Sequence, residues 1–311
     1  MPNFSASIKL ENPWPTRLST LRTCLFHPLE MQKTHNYYNA TISGDREYRI
    51  RGTRGGAPFL SFGAKANRYA TDGTMASIGE LDGKSLTVNA DGTFEITLSR
   101  VRKPGNWLPL APDSTMVIVR ETFLDRPLEG PGKFTIECIG GPTTPQPLSA
   151  ERLDRGLMSA AAFVNGTART FADWSQMLLA KPNTLETVDQ TLFVKAGGDP
   201  NIFYLHGYWQ VAVDEALVIE TAVPECELWN FQVDNYWFES LDYRYLPICI
   251  NSHSARYNAD GSVTMVLAAD NPGVPNYLAT GGHACGTMLL RWTRAKTHPI
   301  PKCRVMKLAD L

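Results

Sequence analysis

Along most of this chain apolar and polar residues alternate with a period of two, the pattern of strands with one face in a core and one outside it. The stretch TFEITLSR (93–100) sets Phe94, Ile96 and Leu98 against Glu95, Thr97 and Ser99. LWNFQVDN (228–235) sets Trp229, Phe231 and Val233 against Asn230, Gln232 and Asp234. IFYLHGYW (202–209) puts Tyr204, His206 and Tyr208 on the face opposite Phe203 and Leu205. Gly and Pro break these runs at short intervals, which predicts sandwich or jelly-roll-like units. One region has another period. Between 149 and 182, Leu153, Leu157, Ala160, Ala161 and Val164 recur at helical spacing. There Thr170-x-x-Asp173 resembles a capping box ahead of Trp174, Met177 and Leu178, so the pattern predicts a helical hairpin with a second helix opening at Thr170.

The strand pattern is written twice. NADGTFEITL (89–98) returns as NADGSVTMVL (258–267), 169 residues later. At or near the same offset FLSF (59–62) falls on LWNF (228–231), KPGNWL (103–108) on NPGVPNYL (271–278), and VIVRETF (117–123) on MLLRWTR (288–294). Asn-Ala-Asp-Gly between alternating runs is a hairpin connection, with Asn and Asp bonding nearby backbone and Gly supplying a positive φ. The fold class expected is therefore mainly β, two tandem copies of a sandwich or jelly-roll-like unit joined by a helical hairpin. The expected segments are an N-terminal piece (1–29), a first β repeat (30–140), a helical connector (141–197) and a second β repeat (198–311).

Composition narrows the function classes. The 311 residues carry a formal net charge of −1, so no global field favours nucleic acid or an anionic membrane. No run approaches the roughly 20 apolar residues of a membrane span, and the N-terminus shows no signal-peptide core. The six cysteines are scattered without a Cys-x-x-Cys pair, which predicts reduced thiols and a cytoplasmic setting. No nucleotide-binding glycine fingerprint, nucleophile elbow or metal-helix motif occurs. The expectation is a small-molecule ligand with no cofactor, no metal, no nucleic acid and no membrane partner; homo-oligomerisation stays open.

Duplication supplies an internal control. Residues that build the fold should persist in both copies, and a site made by one copy should differ between them. At offset 169, His206 stands for Tyr37, Trp229 for Leu60, Asp234 for Lys65, Trp237 for Arg68, Glu239 for Ala70, Asp242 for Gly73 and His253 for Lys84. The second copy has gained imidazoles, carboxylates and indoles, which places a candidate site there. His206 between phenols suits a general base, with Glu239 or Asp242 as partner acid. Tyr204, Trp229, Gln232, Asp234, Trp237, Arg244, His253 and His283 would bind substrate, the rings giving area and the polar groups orientation. The spacing of His206, His253 and His283 matches no metal motif. In the first copy, Arg46 and Arg51 fall on Glu215 and Glu220, which suggests pairing between the copies across a pseudo-twofold axis.

The stretch from LWNFQVDNYWFESLDYR through NADGSVTMVLAADNPGVPNYLATGGHACGTMLLRW resembles the bacterial domain-of-unknown-function family 1214. Asp270, Asn271, Pro272, Gly273, Asn276, Leu278, Gly282, Gly286, Arg291 and Trp292 occupy the motif places, with Tyr277 where the family often has Trp. The first copy looks like a diverged relative through GNWLPL. The resemblance implies a β-rich, jelly-roll-like fold in a bacterial cytoplasm or periplasm, and it carries over no catalytic residue. The function expected from the residues is cofactor-independent acid–base chemistry, of hydrolase or lyase type, on a small organic or sugar-like molecule. The alternative is a non-catalytic carbohydrate- or metabolite-binding protein.

Overall fold

A computed structural model describes residues 34–141 and 147–311, with the backbone of Ser19–Thr20 and Arg22–Thr23. The expected N-terminal piece, and Cys24, otherwise lie outside the described residues. The chain divides into two units, residues up to Thr167 with Lys195–Gly197, and Ala168–Val194 with Gly198–Leu311.

The strands of the first unit are β1 (Ser19–Thr20), β2 (Arg22–Thr23), β3 (His35–Thr41), β4 (Glu47–Thr53), β5 (Phe59–Arg68), β6 (Thr74–Asp82), β7 (Thr93–Ser99), β8 (Asn106–Pro109), β9 (Met116–Thr122) and β10 (Lys133–Ile139). They form two sheets, β1-β10-β4-β7-β8 and β2-β3-β9-β5-β6. Between the sheets lies an apolar core with Ile50, Phe94, Ile96 and Phe134 from one and Leu60, Phe62, Val117 and Val119 from the other. The alternation read in TFEITLSR is the inward and outward face of β7.

After helix α1 (Ala150–Leu179) the second unit continues with β11 (Thr184–Thr187), helix α2 (Gln190–Lys195), β12 (Ile202–Gln210), β13 (Glu215–Thr221), β14 (Leu228–Val233), β15 (Cys249–Asn251), β16 (Val263–Ala268), β17 (Tyr277–Ala279), β18 (Cys285–Thr293) and β19 (Lys302–Lys307). Its sheets are β11-β12-β18-β14-β15 and β17-β16-β13-β19. Strand for strand, β2-β3-β9-β5-β6 corresponds to β11-β12-β18-β14-β15, and β10-β4-β7-β8 to β19-β13-β16-β17. The last pair of strands is parallel in both units, β7 with β8 and β16 with β17. The protein is mainly β and duplicated, two tandem sandwich units with a helical connector.

The turns repeat down to single bonds. Asp91 Oδ1 accepts from the Thr93 amide and hydroxyl, and Asp260 Oδ1 from the Ser262 amide and hydroxyl. Gly92 and Gly261 follow at φ 80° and 82°, where a side chain would be strained. Asn106 and Asn276 make the same three-bond clip. Asn106 Oδ1 accepts from Thr87 N, and its Nδ2 donates to Thr87 O and Glu95 O. Asn276 Oδ1 accepts from Arg256 N, and its Nδ2 donates to Arg256 O and Thr264 O. Each clip holds a parallel strand at the sheet edge, where no hairpin turn fixes register.

Two expectations need correction. The helix does not break at Thr170. With no proline before Pro182 to stop it, the first helical run continues to Leu179 and the second helix of the connector is α2. The charges proposed to pair across the repeat instead find partners within their own units. Arg51 pairs with Glu95 and Glu137, Glu215 with Lys307, and Glu220 with Arg304. Antiparallel register sets Arg51 directly opposite Glu95 and Glu215 opposite Lys307, with Glu137 and Arg304 on the diagonals, so the nearest counter-charge lies one strand away.

Replacing either asparagine of the paired clips leaves two carbonyls and an amide without their partner. Asn106→Ala and Asn276→Ala should each cost about 2 kcal/mol, since each removes three hydrogen bonds. Urea unfolding of both variants checks this. A loss confined to one clip would contradict the equivalence of the two units.

Candidate functional site

In the second unit the strand β14 is buried on both faces. Trp229, Phe231 and Val233 point into the sandwich core. Asn230, Gln232 and Asp234 point the other way and are just as buried. Hydrogen-bond register organises that second face into rows. Tyr204, Arg291, Asn230 and Asn251 lie opposite one another across four strands. The next row holds His206, Leu289 and Gln232. Asp234 follows, its amide donating to Thr287 O at 2.9 Å. Residue 286 must be glycine here, because a Cβ would meet Asp234 O at 2.1 Å.

The first unit has the same leading row, Tyr37, Arg120, Ser61 and Asp82. Arg120 Nε donates to the Tyr37 hydroxyl at 3.1 Å. Register therefore corrects the constant-offset alignment. Tyr204 is the counterpart of Tyr37, and His206 is the counterpart of Asn39. Short loop differences of two residues displaced the match. The equivalence of Asp234 with Lys65 holds, both being buried, Lys65 on β5 and Asp234 directly after β14. Lys65 is ion-paired with Glu80.

His206 sits among rings rather than hydrogen-bond partners. Its ring centroid lies 4.4 Å from Phe193, 5.8 Å from Trp174, 5.9 Å from Phe238 and 6.2 Å from Tyr204. No side-chain hydrogen bond to it occurs among the described residues. Burial, helped by the Arg291 charge, pushes its pKa down to about 3, so the imidazole is neutral at every physiological pH. Asp234 moves the other way. Desolvation raises its pKa to about 7, against smaller opposing contributions from the Gln232 hydrogen bond and Arg291. Gln232 Nε2 donates to Asp234 Oδ1. The remaining oxygens, Gln232 Oε1 and Asp234 Oδ2, are buried and have no hydrogen-bond partner among the described residues. A buried acceptor left unmade is costly, so this pair of oxygens marks a place built to receive a donor.

The other residues named from the sequence lie elsewhere. Trp229 is in the core on the opposite face of β14, with its Nε1 donating to the Tyr257 hydroxyl at 3.2 Å. It does not line the polar face. Trp237, Glu239, Asp242 and Arg244 belong to the segment after β14 and are exposed. Glu239 accepts from Asn235 Nδ2, and Asp242 forms two hydrogen bonds with Arg244, which hold its carboxyl below the usual carboxylate range. His253 and His283 are exposed in separate loops. No group of three His, Cys, Asp or Glu able to hold a metal occurs among the described residues. The structure thus gathers Tyr204, His206, Gln232 and Asp234 on one face. Arg291 and the rings of Trp174, Phe193 and Phe238 went unassigned from sequence. A signal for Arg291 was present, a lone charge inside the apolar strand MLLRW matched by Arg120 in VIVRE.

A duplicated β sandwich with a desolvated polar face on one sheet is the class of protein this geometry defines. The chain belongs to the family described as protein of unknown function DUF1214, whose sequence model matches residues 29–122. That match lies in the first unit, whereas the motif places of the resemblance, residues 270–292, lie in the second. The chain is similar to an uncharacterized protein of known crystal structure from Burkholderia cenocepacia, at 43% identity and TM-score 0.92, covering 99% of this chain and 85% of that one. The VPA0106 protein from Vibrio parahaemolyticus shares the fold at 11% identity and TM-score 0.54, over 96% and 93% of the two chains. No curated protein matches the chain.

The opposed shifts of His206 and Asp234 give a pH signature. A histidine whose folded pKa falls from 6.5 to about 3 contributes stability that is present above 6.5 and lost as pH drops toward 3. A carboxyl raised from 3.8 to about 7 contributes stability that is present below 3.8 and lost as pH rises toward 7. Where the windows overlap, the two slopes cancel in the native protein. Asp234→Asn should unmask the histidine, with stability climbing as pH rises from about 3 to 6.5. His206→Leu should unmask the carboxyl, with stability falling as pH rises from 3.8 to about 7. Each limiting slope is about 1.4 kcal/mol per pH unit. Denaturant titrations across that range measure both, and parallel profiles for the two variants would contradict the assignment.

Proposed function

We propose that the second unit carries the acid–base site of a cofactor-independent enzyme, of hydrolase or lyase type, acting on a small hydroxyl-bearing organic or sugar-like molecule. The observation that carries the reading is Asp234, a fully buried carboxyl with one oxygen held by Gln232 and the other without a partner. A carboxyl balanced near neutrality gives up and takes back a proton at little cost, which is what a general acid–base group requires. The proton-carrying role passes from His206 to Asp234, because an imidazole with a pKa of about 3 is too weak a base. Glu239 and Asp242 face water and are engaged by Asn235 and Arg244, so they fit the partner-acid role poorly. Arg291 supplies positive charge to the face that holds both groups and suits an anionic substituent or a developing oxyanion. Cys138, Cys226, Cys249, Cys285 and Cys303 form no disulfide, which supports a reducing, cytoplasmic setting.

The test is thermal unfolding of wild type and Asp234→Asn against polyols, sugars and small hydroxy acids, followed by a turnover assay on any stabilising compound. A ligand at a hundred times its Kd should stabilise wild type by about 2.7 kcal/mol, with proton uptake or release near pH 7. Asp234→Asn should fold but lose that stabilisation at least tenfold in affinity, together with turnover. Equal binding by both proteins would remove Asp234 from the site. Binding abolished by the variant but never followed by turnover would assign the face to metabolite binding instead.

A further inference from the structure

Between Asp234 and Ser240 the chain makes a short excursion closed by a bridge between those two residues. Asn235 staples it from within. Its Oδ1 accepts from the amides of Trp237 and Glu239, and its backbone oxygen accepts from the Phe238 amide. Trp237 and Glu239 face water, with Trp237 55% exposed, yet Phe238 between them is fully buried. Its φ is 58°, a left-handed conformation that costs a bulky side chain and that asparagine or glycine would take readily. The backbone is bent the wrong way to drive one ring inward. That ring lies 5.8 Å from Phe171, 6.1 Å from Trp174 and 5.9 Å from His206.

We propose that Asn235–Glu239 is a lid over the Asp234 site, that Phe238 is its plug, and that the ligand is a flat phenyl-sized ring bearing hydroxyl donors, which takes the place of the Phe238 ring. This rests on the acid–base reading of Asp234 and deepens it. The lid begins at the residue after Asp234, so lifting it opens the carboxyl and the imidazole together. The vacated space has aromatic walls from Phe171 and Trp174, which pack on a planar ring. His206 borders that space, and the sheet face that carries it also carries Gln232 Oε1 and Asp234 Oδ2, two buried acceptors that a ring hydroxyl would satisfy. Departure of Phe238 also releases its left-handed strain, which offsets part of the cost of opening.

The experiment is site-resolved reaction of histidines with diethyl pyrocarbonate, which modifies neutral imidazoles, read by peptide mass spectrometry in the full chain. His35, buried in the first unit, reports opening of that unit, amide exchange of β16 and β18 reports opening of the second, and exposed His283 reports reagent activity. In Phe238→Gly, which removes the ring and suits the left-handed backbone, His206 should react at least tenfold faster than in wild type, with His35 unchanged. Asn235→Ala keeps the ring but loosens the staple and should give a smaller acceleration. An unchanged His206 rate, or a parallel rise at His35 or in amide exchange of β16 and β18, would overturn the lid. Catechol should then protect His206 in Phe238→Gly and benzene should protect it far less; equal protection by both, or none by catechol, would overturn the ligand class. The acid–base reading of Asp234 is read separately, by the pH-linked binding and turnover of Asp234→Asn.

Discussion

A guanidinium removed from water must be met by partners around its plane, and each unit of this protein sets one such group in the same transverse row. Arg120 and Arg291 stand mid-sheet, flanked by a tyrosine on one side and a short polar side chain on the other. The inner face of the same sheet has to be apolar to build the sandwich, so the strand bearing the arginine cannot be solvated on either side. That double burial sets the electrostatics of everything nearby. It drives His206 to neutrality, lifts Asp234 toward neutral pH, and makes any polar atom without a partner on that face expensive.

The two copies use this scaffold differently. In the first, Lys65 is balanced by Glu80, and Asn39 occupies the place of the imidazole. In the second, Asp234 has the neutral Gln232 beside it and His206 is walled by rings. Glu80 also keeps one oxygen, Oε2, without a hydrogen-bond partner among the described residues, but its charge is balanced by the Lys65 ammonium. A carboxyl held by an amide on one side still has an acceptor to give. The difference lies in a handful of side chains on one sheet face, with topology, turns and asparagine clips unchanged.

Much of this was legible in the sequence, for a specific reason. Strand alternation and the Asn-Ala-Asp-Gly turns are local, so the duplicated sandwich and the shared face of Tyr204, His206 and Tyr208 follow from pattern. The constant offset named the wrong counterpart for His206 because the connection from β12 to β13 is two residues longer than that from β3 to β4. The error was two residues, and two residues along a strand preserve the face, so the right surface was found through the wrong pairing. Trp229 failed for the opposite reason, since its immediate neighbours point to the polar side and it does not. Phe238, Trp174 and Phe193 reach His206 from segments distant in sequence or from a strained bend, and neither leaves a periodic trace. Glu239 and Asp242 have suitable chemistry but spend it on neighbours a few residues away.

A chain that encodes the same strand order twice faces a hazard while it folds, because a strand from one copy can dock in the half-formed sheet of the other. Tandem repeats are prone to such exchange. Here the interchangeable central strands carry Leu60 against Trp229 on the core side and Lys65 against Asp234 on the other. An indole forced into a leucine-sized space, with a carboxylate arriving where the surrounding groups expect an ammonium, makes the crossed product worse than either correct one. The divergence that gave the second copy its chemistry therefore also serves as an address label, telling each strand which half of the molecule it belongs to.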